Sequence, residues 1–292
     1  MNQWWVGVVG AGILCLVGCR GNVHYTASDW EELVGRPPEA TAPSALPPTG
    51  EAPSSATQTL QAFTVAGTSA QGSVPWRVSG QSAAVVGQTV QMTDVHGVRE
   101  ATDETMTVTA KQGTFDPKTH DVHLEHDVVA TTADGMTLTT DALDWSERTQ
   151  TLTMVEPLTV TQEQLEITGT GGVAHPELKT MAIAEQVRVT VYPSTIITCE
   201  GPLEVDYDHA KATFHEDVHV TDERGELFAD QMEVFFNEAR EVEQIIAIGH
   251  VRILRGDDTA YSDRAVYLQK QGQVFLTGEP RLVLFPRQED VR

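Results

Sequence analysis

The 292-residue sequence predicts an all-β protein in which antiparallel strands follow one another in a repeating series. Between Ala212 and Leu282, apolar residues occupy every second position, which is the period of a strand with one buried face. Gly, Asp, Asn and charged residues separate these runs, as turns require, and Val and Thr fill the pattern. The one short helical candidate, at 237–248, fits better as a turn followed by a strand ending at Gly249.

The strands recur at a regular interval. Each repeat closes with a strand that carries an apolar residue at a comparable position, and these residues lie 29 to 33 residues apart. They are Val128, Leu158, Val187, Val218, Val251 and Leu282. A period of this length indicates units that must stack on their neighbours to bury an apolar edge. An ordinary β-sandwich with accidental regularity is the alternative.

The first 19 residues form a segment of a different kind. Residues 4–18 are apolar and uncharged, which is short for a membrane span but typical of the core of a signal peptide. The segment ends in Leu16-Val17-Gly18-Cys19, which resembles the lipobox of bacterial lipoproteins. The resemblance implies that Cys19 receives a diacylglycerol. A short uncleaved anchor helix is the alternative, and both interpretations leave residues 20–292 outside the cytoplasmic membrane.

A linker is predicted at residues 20–61, where Pro, Ala, Ser and Thr dominate. Such a segment cannot bury enough apolar surface to order itself. Roughly 40 residues at about 3.1 Å each would give the folded part a reach of up to ~100 Å from an anchor. After processing, Cys199 would be the only free thiol, and its strand-like surroundings predict a buried small hydrophobe.

The charge excludes several classes of function. With 42 acidic against 19 basic residues, the formal net charge is -23, which would repel nucleic acid and anionic membranes. No phosphate-binding loop or catalytic constellation is present, so we predict neither an enzyme nor a cofactor. His120, His123 and His126 invite a metal interpretation, but strand alternation turns His123 away from the other two, and we predict no metal site.

Two folded blocks are predicted, at 62–192 and 193–292, separated at Tyr192-Pro193-Ser194. Their alternating apolar residues would form an inner face, which is either a dry core or an apolar trough for fatty chains. Candidate lipid-contacting residues in the first block are Val122, Leu124, Val128, Leu138 and Val187. Candidates in the second block are Phe214, Val218, Val220, Leu227, Met232, Val234, Ile246, Ile248, Val251, Ile253 and Leu276.

The two blocks resemble the periplasmic lipopolysaccharide-transport proteins. The first block looks like an LptC domain, with Trp76, Ala110-x-x-Gly113-x-Phe115-Asp116 and Leu138-x-Thr140-Asp141-x-Leu143. The second block is similar to the LptA, or OstA-like, domain, with Leu227-x-Ala229-Asp230, Ala247-x-Gly249-x-Val251 and Leu276-x-Gly278-x-Pro280. Such domains usually occur as separate proteins, and LptC-like proteins usually carry a membrane-spanning helix instead of a lipobox. The resemblance therefore implies a covalent fusion of a bridge that is normally assembled by contact.

The resemblance also implies a fold and a function. The fold would be an elongated V-shaped β-jelly roll, two splayed antiparallel sheets whose groove holds the acyl chains of lipid A. The function would be to bind lipopolysaccharide and move it across the periplasm from the inner to the outer membrane. An ABC transporter similar to LptB–LptF–LptG would supply the energy.

The ends of the strand series suggest how the protein would be placed and joined. The exposed edge at 274–285 would pair with an LptD-like outer-membrane receptor or an LptA-like protein. The lipidated N-terminus would anchor the chain to a membrane, with the inner membrane favoured over the outer. A structural or adhesive β-repeat lipoprotein without lipid transport is the alternative function.

Overall fold

A computed structural model describes residues 59–68, 75–101, 104–175, 179–237 and 241–285. These residues form seventeen β-strands and one 3-10 helical turn at Gln269–Gln271, so the predicted all-β class is confirmed. The expected signal peptide, Cys19 and almost all of the expected linker lie outside the described residues.

The strands are long and closely spaced. The first nine are β1 Thr59–Thr68, β2 Pro75–Val86, β3 Thr89–Ala101, β4 Glu104–Phe115, β5 Val122–Thr132, β6 Thr137–Ser146, β7 Thr151–Gln162, β8 Leu165–His175 and β9 Thr180–Val191. The remaining eight are β10 Thr195–Cys199, β11 Leu203–Asp206, β12 Lys211–Asp222, β13 Gly225–Phe236, β14 Val242–Arg255, β15 Asp258–Leu268, β16 Gln273–Thr277 and β17 Arg281–Val283. The region predicted as a turn and strand after Asn237 is strand β14, which continues past Gly249 to Arg255.

The strands form a single antiparallel meander. From β1 to β9, each strand pairs with the one before it in sequence. The short strands β10 and β11 share one position, since both pair with β9 on one side and β12 on the other. The meander continues from β12 to β15, and β16 and β17 both pair with β15 at the last position. The sheet therefore runs without a break through the junction between the two predicted blocks.

Bulges near the middle of alternate strands mark the repeat. The pairing register shifts between Glu125 and Val128 in β5, between His215 and Val218 in β12, and between Ile248 and Val251 in β14. Residues inside these gaps have positive φ, among them Asp127 (54°), Asp217 (48°) and Gly249 (77°). A bulge inserts an extra residue and bends its strand. The interval of about thirty residues seen in the sequence is thus the distance from one bulged strand to the next.

One apolar core runs through the described residues. Because they contain no α-helix, the inner face of the sheet is buried only against other parts of the same sheet, which folds over on itself. Among the largest fully buried side chains are Phe214, Met154 and Met232. Five of the six predicted closing residues are also buried here: Val128, Leu158, Val187, Val218 and Val251. The sixth, Leu282, is 61% exposed because its strand, β17, lies at the described edge of the sheet.

Candidate functional site

The candidate site is the inner face of the sheet. Ten of the predicted lipid-contacting residues are buried in the core: Leu124, Val128, Val187, Phe214, Val218, Val220, Leu227, Met232, Val234 and Val251. Four more are partly buried against it: Val122, Leu138, Ile253 and Leu276. The structure brings these fourteen side chains into one continuous apolar layer that spans both predicted blocks.

Ile246 and Ile248, which were also predicted to line this face, are not part of this layer. Ala247, which lies between them, pairs with Met232 and Ala265 and is almost fully buried. Because successive side chains of a strand point to opposite faces, Ile246 and Ile248 point away from that layer, although Ile246 is buried with only 7% of its surface exposed. The error has a physical cause: residues 245–248 are apolar at every position, so hydrophobicity alone does not indicate which face is buried.

The interior is closely packed in this structure. One apolar cavity in the described part of the interior, lined by residues such as Val160, Ile183 and Leu203, has a volume of about 10 Å³. That is room for about one water molecule at most. At this cavity, a fatty chain could therefore enter only if the surrounding side chains move apart.

The inner face becomes exposed toward the C-terminal edge. Along one row of paired residues, Val220 is 6% exposed, Leu227 is 8% exposed, Ile253 is partly buried and Leu282 is 61% exposed. This row ends among other exposed apolar side chains at Val274, Phe275, Val283, Leu284 and Phe285. An edge strand with exposed apolar side chains is typical of an interaction surface.

Polar links hold the bulges in place on the outer face. The Asp230 carboxylate accepts a hydrogen bond from Nδ1 of His250, with 2.8 Å between the nitrogen and Oδ2. That hydrogen bond and the Asp230 charge raise the pKa of His250. Asp141 lies in a comparable place in β6, with Oδ1 3.7 Å from Nδ1 of His126. Asp230 of the Leu-x-Ala-Asp motif and Asp141 of the Leu-x-Thr-Asp motif therefore have a structural role, which the alternation of apolar residues does not indicate.

Cys199 and His123, which the sequence offered as possible reactive or metal-binding residues, have structural contacts instead. Cys199 is buried as predicted, its Sγ donates to the Gly201 carbonyl at 3.3 Å, and burial raises the pKa of its thiol to about 11. His123 contacts Asp144 at 2.6 Å and Glu125 at 2.9 Å. Across the described ranges, no three His, Cys, Asp or Glu side chains are arranged to hold a metal ion. In the same part of the chain, no helix is long and apolar enough to cross a membrane.

Comparison with known proteins gives two family matches in succession. Residues 38–193 match the family described as lipopolysaccharide-assembly, LptC-related, and residues 202–291 match the family described as LptA/(LptD N-terminal domain) LPS transport protein. Among solved structures, the chain is similar to LptH, the LptA homologous periplasmic component of the lipopolysaccharide transport device from Pseudomonas aeruginosa. That similarity has 11% identity and a TM-score of 0.37, and it covers 42% of this chain and 95% of that one. A search of curated proteins found no match.

Proposed function

Because this chain belongs to the LptC-related lipopolysaccharide-assembly family and carries an LptA/LptD N-terminal region in tandem, we propose that it carries lipopolysaccharide across the periplasm. The observation that best supports this role is the continuous apolar inner layer, which runs through both family regions without a break in the sheet. In this proposal residues 62–192 and 193–292 act as two domains of one bridge. The chain has no enzymatic step to perform.

The apolar interior would lower the cost of moving fatty chains through water. Burying one methylene group is worth about 0.8 kcal/mol, so a 12-carbon chain exposed to water costs on the order of 10 kcal/mol. Transfer from a bilayer to an apolar interior is nearly neutral, because both surroundings are apolar. Net transport therefore needs an external energy source, for which we propose an ABC transporter similar to LptB–LptF–LptG.

Entry of a chain would require the two layers to separate. Each bulge bends its strand, and in this proposal these bends are where the layers change their angle. Fourteen of the sixteen residues predicted from sequence remain in the proposed lipid path, and Ile246 and Ile248 do not.

The C-terminal edge would pass the lipid onward. Strands β16 and β17 have one described neighbour, β15, so their other side is free to pair with a strand of an LptD-like receptor or an LptA-like protein. A photocrosslinker at Leu284 should then capture such a partner in cells, whereas repeated failure to capture any β-jelly-roll protein would contradict this docking. At the other end, acylated Cys19 would hold the chain at a membrane, the inner one in our proposal.

The lipid-binding step can be tested with purified, delipidated protein and a fluorescent fatty acid. We expect the probe to bind and lipopolysaccharide to displace it. Leu276→Asp, on the inner face, should weaken binding, while Phe275→Asp, its outward-pointing neighbour, should not. Failure of the wild-type protein to take up the probe, together with purification free of lipid A, would favour a structural or adhesive lipoprotein instead.

A further inference from the structure

The outer face of the second block carries an open groove with a volume of about 700 Å³, which we call the outer groove. Two parallel rows of side chains line it. The stacked row consists of Phe228, Arg252, Tyr261 and Arg281. The acidic row consists of Asp217, Asp230, Asp263 and Glu279. The groove also borders Val218, Ala229 and Val251, whose side chains belong to the core. The side chains of the two rows alternate with these core residues along their strands, so the rows stand on the face of the sheet opposite to the proposed lipid path.

The stacked row presents two fixed guanidinium groups. Phe228, Arg252, Tyr261 and Arg281 are cross-strand partners in that order. Cζ of Arg252 lies 4.1 Å from the centre of the Phe228 ring, and Cζ of Arg281 lies 4.5 Å from the centre of the Tyr261 ring. Ring contact occupies the face of a guanidinium and leaves the N–H groups along its edge as donors. Neither arginine has an ion-pair partner among the residues that the structure describes.

The acidic row presents acceptors at the bends of the strands. Asp217 stands in the bulge of β12, and Glu279 stands in the interruption between β16 and β17. Asp230 is bound to His250, whereas the other three carboxylates have no ion-pair partner within the described ranges. Ionised carboxylates only accept hydrogen bonds, so this row complements the donors of the stacked row.

The combination of rows selects the class of ligand. Four carboxylates against two guanidinium groups would repel a polyanion, which excludes nucleic acid and phosphate-rich surfaces. Hydroxyl groups both donate and accept, so a chain of sugars can satisfy the two rows at once without bringing in a net charge. The stacked row crosses four strand positions about 4.8 Å apart, which gives a length of ~14 Å along which both rows are present, enough for a few sugar rings in line. We propose that the outer groove binds an oligosaccharide.

Calorimetric titration of the full chain tests this site with three saccharides and one anion. The saccharides are cellotetraose, chitotetraose and maltotetraose, all uncharged, and the anion is inorganic phosphate. We expect at least one saccharide to bind and phosphate not to displace it. The double variant Arg252→Ala/Arg281→Ala should weaken saccharide binding by roughly tenfold or more, as expected for lost hydrogen bonds to charged groups.

A matched control exists elsewhere on the same sheet. Nζ of Lys211 lies 5.5 Å from the centre of the Phe235 ring, so this is also a cation over an aromatic ring, but it lies outside the groove. Phe235→Ala should leave saccharide binding unchanged, and Asp263→Asn provides a second groove variant that alters no stacked residue. Circular dichroism should show all variants folded.

Three results would overturn the proposal: no binding of any of the three saccharides, equal binding by the groove variants and wild type, or displacement by phosphate. Loss of a protein partner by the groove variants without loss of saccharide binding would assign the groove to that partner instead. None of the probes carries a fatty chain, so the outcome is independent of whether the inner face takes up lipid.

Discussion

His250 and Asp230 join two neighbouring strands at the bulge of β14, with Nδ1 of His250 2.8 Å from Oδ2 of Asp230. His250 follows Gly249 in the bulge of β14, and Asp230 follows the core residue Ala229 in β13. The link therefore fixes the outer side of the bend while Val251 anchors its inner side in the core. The link therefore gives Asp230 of the Leu227-x-Ala229-Asp230 motif a structural role.

The first prediction concerns the protonation of this link. The hydrogen bond and charge of Asp230 raise the pKa of His250 above its ordinary value of 6.5, so nuclear magnetic resonance should show its ring titrating above that value. A raised folded-state pKa contributes stability that is fully present below pH 6.5 and is lost as the pH rises through the folded pKa. In Asp230→Asn the shift should become smaller, because only the weaker effect of the Asp263 charge remains, and the stability advantage of wild type should be larger at acidic than at alkaline pH.

An internal control for that titration is His175. Burial lowers the pKa of His175, so its ring should titrate below 6.5 in both wild type and Asp230→Asn. The same titration midpoint for His250 in the two proteins would show that Asp230 does not act on it.

The second prediction concerns the backbone of the bulge. Gly249 has a φ of 77°, and a methyl group there would overlap the Asp230 carboxylate. Gly87 has a φ of 65° with nothing within 4 Å of the added carbon. Both Gly→Ala variants should lose about 1–2 kcal/mol through the left-handed backbone. Gly249→Ala should lose at least about 1 kcal/mol more through overlap, measured by urea unfolding. Equal losses would mean that the bend accommodates the methyl group.

The third prediction concerns the core. Phe214 is fully buried and pairs with Met232, so Phe214→Ala should lower the free energy of unfolding by about 3–5 kcal/mol. Phe275 is 47% exposed at the C-terminal edge, and Phe275→Ala should change that energy by no more than about 0.5 kcal/mol. Similar effects of the two substitutions would argue against the burial described for β12.

These elements show what the sequence could and could not predict. Period-two alternation correctly placed Phe214 and Val218 on the inner face, because each stands among polar neighbours. It failed at Ile246 and Ile248, where every neighbouring position is apolar. The spacing of the repeat was visible in the sequence, but the bulges that cause it were not. Asp127 has a positive φ, yet aspartate also adopts ordinary backbone conformations, so its presence does not predict a bulge.

The inner layer and the outer groove also differ in how far the sequence predicts them. The inner layer follows from local alternation and was largely predicted. The outer groove depends on cross-strand pairs such as Arg252 with Tyr261, whose partners lie apart in sequence and meet only through the register. A local sequence pattern does not show how bulges shift the pairing of strands. Neither the stacked row nor the acidic row was therefore predicted.

The fourth prediction concerns salt. With a net charge of -23, the chain should hold lipopolysaccharide through its fatty chains and leave the anionic head groups toward solvent. Raising salt from about 0.05 to 0.5 M should therefore change the affinity little, because screening acts on charge contacts and not on apolar burial. A titration at both salt concentrations measures this, and a steep loss of affinity with added salt would indicate capture by salt bridges.

The most direct measurement is site-specific photocrosslinking in cells. A photoreactive residue at Val218 or Ile253 faces the inner layer, and one at Ile248 faces the opposite side of the sheet in the same strand as Ile253. We predict that lipopolysaccharide is captured from Val218 and Ile253 and not from Ile248. No capture from the two inner positions, or equal capture from Ile248, would contradict transport of fatty chains through the interior of this sheet.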